Sequence, residues 1–188
     1  MKKSLLLLGT FFTLFFIACE GPAGPPGFDG RDGQDGFDGR EAQVFEVDDV
    51  DFTYISEDNL YESVLAFEDF TSFEVLPNDA VLVYQYDRTV EFQDGSQDDV
   101  WNLIPQAFFT NEGTIQYTPG HTTKDVEILI SGNYDLSNLE TQFTQGQLFR
   151  FVIVPGQAAT AKIDKSSISA VMSSMGLTEA DVLKASFK

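Results

Sequence analysis

The stretch Leu148-Phe149-Arg150-Phe151-Val152-Ile153-Val154 decides the fold class of this chain. In an extended backbone successive side chains point to opposite faces, so Phe149, Phe151 and Ile153 fall on one side and Leu148, Val152 and Val154 on the other. Ala80–Tyr84 is likewise apolar on both faces, a pattern that suits a central strand covered on two sides. Arg150 interrupts the first stretch. Among so many carboxylates its expected role is a structural ion pair rather than ligand capture.

Outward from these two stretches, period-two patterns continue through the chain. Phe45 and Val47, then Val50, Phe52 and Tyr54, alternate with polar residues, and the slip at Asp48-Asp49 predicts a bulge or tight corner. Leu60–Phe67, Ser72–Val75, Val100–Phe109, Thr114–Tyr117 and Asp125–Ile130 are further predicted strands. Pro105, lacking an N–H, limits the third of these to an edge or bulge. Turn signals fall at Pro77-Asn78-Asp79, Asp94-Gly95, Asn111-Glu112-Gly113, Pro119-Gly120, Ser131-Gly132-Asn133 and Pro155-Gly156. Short strands so punctuated predict a mainly β domain, a sandwich or barrel, over residues 42–188. The tail departs from this pattern. Ile168, Val171, Met172 and Met175 recur at helical spacing, and Gly176 can end that helix. Thr178-Glu179-Ala180-Asp181 resembles a capping box opening a last helix. The two helices are expected to cover an open end or face of the sheet, with Met172 and Met175 as core contacts.

The N-terminal 41 residues follow different rules. Lys2 and Lys3, the apolar run Leu5–Ile17 and the small Ala18 form the three parts of a secretory signal over residues 1–18. That run is shorter than the roughly 20 residues a membrane-spanning helix requires. Cys19 is the sole cysteine, so it makes no intramolecular disulfide. Seven Gly-X-Y triplets follow, from Gly21 to Glu41. Strict glycine at every third place is the collagen signature, because only glycine fits the axis of a triple helix. Imino acids occupy only Pro22, Pro25 and Pro26, however, and Asp29, Asp32, Asp35, Asp38 and Glu41 outnumber Arg31 and Arg40. A homotrimer would gather that negative charge in a thin rod. An extended single-chain spacer, reaching on the order of 65 Å at about 3.1 Å per residue, is the favoured expectation.

This arrangement of Cys19, an immediate Gly-X-Y tract and an acidic, Phe-rich β-domain resembles the small collagen-like lipoproteins of Bacteroidota. The specific part of the likeness covers residues 1–41, although Phe16 stands where the lipoprotein signal usually has Leu. The resemblance implies acylation of Cys19, export, and anchorage in the cell envelope, at the outer membrane. Glu20 is not the Asp that retains many lipoproteins at the inner membrane. It carries no catalytic motif onto residues 42–188.

Composition narrows the function classes. The formal net charge is −19, and removal of Lys2 and Lys3 makes it −21. Such a surface excludes nucleic acid and anionic bilayer faces as partners, since phosphate binding needs clustered Lys and Arg. Of the 18 Phe, those at 11, 12, 15 and 16 precede Cys19, leaving fourteen for the rest of the chain, enough for a folded core. A lone His121 provides at most one base for nucleophilic catalysis and excludes His-rich zinc sites. The stalk glycines read G-x-x-G-x-x-G rather than the dinucleotide fingerprint, and no C-x-x-C is present. Paired carboxylates of a glycosidase are inevitable by chance among 30 acids and carry no weight.

The predicted function is therefore a non-catalytic envelope lipoprotein that presents a β-sandwich on a Gly-X-Y stalk, in a structural or adhesive role. The alternative is a calcium-dependent or glycan-binding surface module. For it, Asp94, Ser96, Asp98 and Asp99 offer alternating oxygen ligands on a loop for Ca²⁺. Trp101, with Tyr84, Tyr86 and Tyr117, is the candidate aromatic platform for a glycan or peptide. The bland readings compete: a solvated acidic loop, a core tryptophan, and a solvated turn histidine at His121.

Overall fold

Alternating side chains resolve into ten strands in the computed structural model, which describes residues 40–159 and 162–187. Cys19, the signal region and the tract as far as Gly39 lie outside the described residues. The strands are β1 (Gln43–Val50), β2 (Thr53–Ile55), β3 (Leu60–Ala66), β4 (Ala80–Glu91) and β5 (Gln97–Leu103). They continue with β6 (Gln106–Phe109), β7 (Thr114–His121), β8 (Asp125–Gly132), β9 (Gln147–Val154) and β10 (Leu183–Ser186). Two five-stranded sheets result, ordered β10-β1-β9-β4-β5 and β2-β3-β8-β7-β6. They pack face to face as a sandwich.

Phe149, Phe151 and Ile153 of β9 point into the space between the sheets and are fully buried there. Val83 joins them from β4, and Ile115, Tyr117, Ile128 and Ile130 meet them from the second sheet. Phe45 stacks on Phe151 with ring centroids 5.0 Å apart, and Tyr117 of β7 lies 6.4 Å from Phe149 of β9 across the gap. Burial of each such side chain contributes roughly 1.5–3 kcal/mol, so this layer dominates the stability of the fold.

The other face of the first sheet is also covered. Val44, Tyr84, Val152 and Val154 pack against Val171 and Met172 of a helix spanning Ile168–Ser174. Ser167 caps that helix by accepting a hydrogen bond from the Ala170 amide at 3.2 Å, and Gly176 ends it in the left-handed region at φ 73°. The Tyr84 hydroxyl donates to the Lys165 carbonyl at 2.6 Å, tying the segment before the helix to the sheet. Burial first, and the Asp164 charge second, push the Tyr84 phenol up to about 12.

The bulge read at Asp48-Asp49 is present: the β1–β9 register shifts between Val47 and Val50, with Asp49 at φ 54°. Four other expectations need correction. Ser72–Val75 is not a strand: the Phe73 amide bonds locally to Thr71 Oγ1, and just past the segment the Leu76 amide bonds to the Asp79 carboxylate. Val100–Phe109 is two strands, since the chain leaves the first sheet as β5 and enters the second as β6 around Ile104-Pro105. Pro119-Gly120 is no turn but lies within β7. The β6 partner stops at the Gln106–Tyr117 pair, so beyond it β7 is an edge on that side and tolerates a residue without N–H. The capping box at Thr178 forms as read, yet it opens only a 3-10 turn, Glu179–Asp181. The chain then extends as β10, parallel to β1, because pairing with that open edge satisfies more backbone groups than another short helix would.

Candidate functional site

Arg150 organises the outer face of the first sheet. The strand registers place Lys184 (β10), Glu46 (β1), Arg150 (β9), Tyr84 (β4) and Leu103 (β5) in one row across all five strands. Arg150 Nη2 and Nε donate to Glu46 Oε2 at 2.7 and 3.2 Å, and Nη1 donates to Glu179 Oε1 at 2.8 Å. Lys184 Nζ reaches the other Glu46 oxygen at 3.1 Å. Two cations thus balance two anions, and the guanidinium lies 4.2 Å over the Trp101 ring centroid. Arg150 is only 3% exposed, so this closure is essential: an unpaired charge at such depth carries a heavy desolvation cost. The structural ion pair expected for Arg150 is what the fold contains.

A groove of about 420 Å³ opens beside this cluster, lined by Asp98, Asp99, Trp101, Arg150, Ser169 and Glu179. The fold therefore brings together Trp101, Asp98 and Asp99. Asp94 and Ser96 are left apart at the tip of the β4–β5 hairpin. There Asp94 Oδ1 accepts from the Ser96 hydroxyl at 2.6 Å and from its amide at 3.0 Å. These bonds, the hydroxyl's first, hold the Asp94 carboxyl below the usual carboxylate range. Asp99 Oδ1 accepts from Thr89 Oγ1 at 2.7 Å, and Asp98 Oδ1 from the Asp99 amide at 2.9 Å. Among the described residues no group of three or more His, Cys, Asp and Glu side chains is arranged to hold a metal ion.

The aromatic platform does not assemble. Trp101 and Tyr86 meet edge to face at 5.6 Å on the outer face of the first sheet, and Trp101 is 9% exposed. Tyr84 is buried on that same face, whereas Tyr117 lies between the sheets on β7. The sequence pattern held Tyr84, Trp101 and Tyr117 in strands but could not show that they belong to different layers. His121 is exposed at the end of β7 rather than in a turn, its Nδ1 3.2 Å from the Thr122 carbonyl oxygen.

A second polar cluster sits where the Gly-X-Y tract meets the sandwich, and sequence reasoning missed it. Arg40, in the last triplet, donates from Nη1 to both oxygens of Asp79, at 2.8 and 3.0 Å, and from Nη2 to the Glu74 carbonyl. Its guanidinium stacks 4.5 Å over Phe73. Asp79 is buried and also accepts from the amides of Leu76 at 2.9 Å and Gly156 at 3.1 Å. Gly156 allows this approach, for a Cβ there would stand 2.5 Å from the Asn78 carbonyl oxygen. The available signal was Asp79 itself, an acid at the close of a Pro-Asn-Asp turn immediately before an apolar strand.

Comparison of the chain with protein-family models, with curated proteins and with solved structures finds no match. The class that fold and site define is a two-sheet β-sandwich with one sheet covered on both faces. Among the described residues no helix is long and apolar enough to cross a membrane.

Proposed function

We propose that the chain is a non-catalytic cell-envelope lipoprotein, acylated at Cys19, that displays its β-sandwich on the Gly-X-Y tract as a spacer. The resemblance to collagen-like lipoproteins supplies the envelope and the outer membrane as its place. Its role there is structural or adhesive, towards a protein or glycan partner. The observation that carries this reading is the joint at Arg40. The last arginine of the tract is gripped by a buried carboxylate, a carbonyl and an aromatic ring of the body. Three residues later β1 begins, and it is paired on both sides, by β10 and by β9. Force or position imposed through the tract is thus delivered to an interior strand and not to a loose terminus.

Intact-mass analysis of the native protein tests the reading. A mature chain beginning at an acylated Cys19 and recovered with membranes is the expected result. An exported chain with Cys19 unmodified removes the anchor and overturns the proposal. Sedimentation equilibrium of the same protein then distinguishes the spacer, which leaves it monomeric, from a triple helix, which makes it trimeric.

A further inference from the structure

The inner faces of the two sheets are apolar along most of their length and then change chemistry at one end. On β4 the inward series runs Val81, Val83, Gln85, and on β9 it runs Ile153, Phe151, Phe149, Gln147. Asn102 of β5 lies beside Gln85 in register. A cleft of about 470 Å³ opens at this end, and Gln142 completes a set of four carboxamides on its wall. Its other wall is aromatic, from the half-buried Phe108 and Phe143, with Tyr117 fully buried against Phe108.

Two of these carboxamides, Gln85 and Gln147, are bonded to each other, and one acceptor is left unfinished. Gln147 Nε2 donates to the backbone carbonyls of Gln142 and Gln145, both at 2.9 Å, so both its hydrogens are engaged. It can offer Gln85 only its oxygen, which accepts from Gln85 Nε2 at 3.0 Å. That fixes the orientation of the Gln85 amide and leaves Gln85 Oε1 buried with no partner. Gln85 is 6% exposed at the floor of the cleft. The Tyr117 hydroxyl beside it donates to the Phe143 carbonyl at 2.5 Å. Gln142 is exposed at the rim and its amide is held by the exposed Glu140 carboxylate at 2.6 Å, so it can turn aside for an entering group while Gln147 stays in place.

We propose that this open end of the sandwich is a binding site for a neutral glycan. A sugar hydroxyl is donor and acceptor at once, and a carboxamide answers it with one group of each kind. A hydroxyl proton is also what Gln85 Oε1 lacks. Aromatic rings accept the C–H faces of a pyranose, and the cleft falls in the size range of small-ligand sites, about 300–1,000 Å³. Asp87 at the edge and the acidic chain as a whole disfavour an anionic ligand. This site lies in the sandwich and does not depend on acylation of Cys19, so the two proposals fail separately.

The test is a titration of the full chain in a detergent without a sugar headgroup, using neutral hexasaccharides of glucose (α-1,4 and β-1,4), mannose, galactose and xylose. The readout is the side-chain amide signals in ¹H–¹⁵N spectra. At least one hexasaccharide should shift the signals of Gln85, Asn102, Gln142 and Gln147 saturably. Gln142→Ala and Asn102→Ala, at surface or half-buried positions, should each weaken that binding about tenfold or more with the melting temperature unchanged. Gln85→Leu should abolish binding while leaving the melting temperature equal or higher, whereas a purely structural Gln85 would lower it. If no hexasaccharide moves these signals at about 10 mM, or if the shifts gather around Trp101 instead, the proposal is overturned.

Discussion

The two outer faces of the sandwich are built from the same kind of strand and meet opposite fates. On the first sheet, Val44, Tyr84, Val152 and Val154 are sealed beneath the helix Ile168–Ser174, with Arg150 neutralised among them. On the second, Val64 is 46% exposed and Phe109 89% exposed, among polar neighbours such as Glu62 and Glu127. The difference teaches that a charge needs a complete set of partners only where water is excluded. Glu62 and Glu127 share a hydrogen bond on the open face, and among the described residues neither makes an ion pair, an arrangement that the covered face could not sustain.

The comparison breaks most readily at Arg150. Arg150→Leu should cost about 3 kcal/mol in chemical denaturation, because Glu46 loses its principal buried partner. The double variant Arg150→Leu, Glu46→Leu should recover most of that loss, and a single variant costing under about 1 kcal/mol would mean that water reaches the row. Next, Met172→Ala on the buried side of the covering helix should cost about 2–3 kcal/mol, whereas Val64→Ala on the open face should stay within about 0.5 kcal/mol. Equal losses at both positions would erase the distinction between the faces. Ser167→Ala removes the cap of the covering helix and should cost about 1 kcal/mol in thermal or chemical unfolding.

The smallest effect concerns pH and belongs to the open face. A hydrogen bond with Glu62 first, then burial and the charges of Glu62 and Asp125, raise the Glu127 carboxyl above its ordinary 4.5. The folded chain therefore holds this proton to higher pH than the unfolded chain. The contribution of the pair is fully present below 4.5 and is lost as pH rises through the elevated folded value. Glu127→Gln should flatten that part of the stability–pH curve and leave the protein slightly more stable near neutrality. Urea unfolding between pH 4 and pH 7 checks it, and an unchanged slope would show that the two acids do not interact.

Much of the fold was legible in the chain. Leu148–Val154 and Ala80–Tyr84, apolar on both faces, are interior strands of the first sheet, and the helical spacing of Ile168, Val171 and Met172 marked the element that covers it. The bulge at Asp48-Asp49 was visible as a slip in alternation. The errors cluster where a distant partner overrides a local preference. Thr178–Asp181 satisfies its capping box, but the free edge of β1 draws the next residues into β10. Pro119-Gly120 carries a turn signal, and here it sits in a strand because β6 is too short to reach it. The candidate sites were legible only in part. Trp101, Asp98 and Asp99 do share a groove, while the amide cleft drew no notice because Gln85, Asn102, Gln142 and Gln147 are unremarkable singly.

By itself the sequence determined the β class, the covered character of one sheet, the Gly-X-Y period and the singularity of Cys19. Each of these is a property of residues near one another along the chain, where backbone geometry alone sets the face on which a side chain falls. The tertiary structure decided which carboxylates close around Arg150, where Arg40 is gripped, and which four carboxamides line one cleft. Glu46 and Arg150 are 104 residues apart, and Arg40 and Asp79 are 39 apart. Such pairings follow from strand order and register, which no local pattern encodes, because they are settled by the one packing that buries every apolar face together.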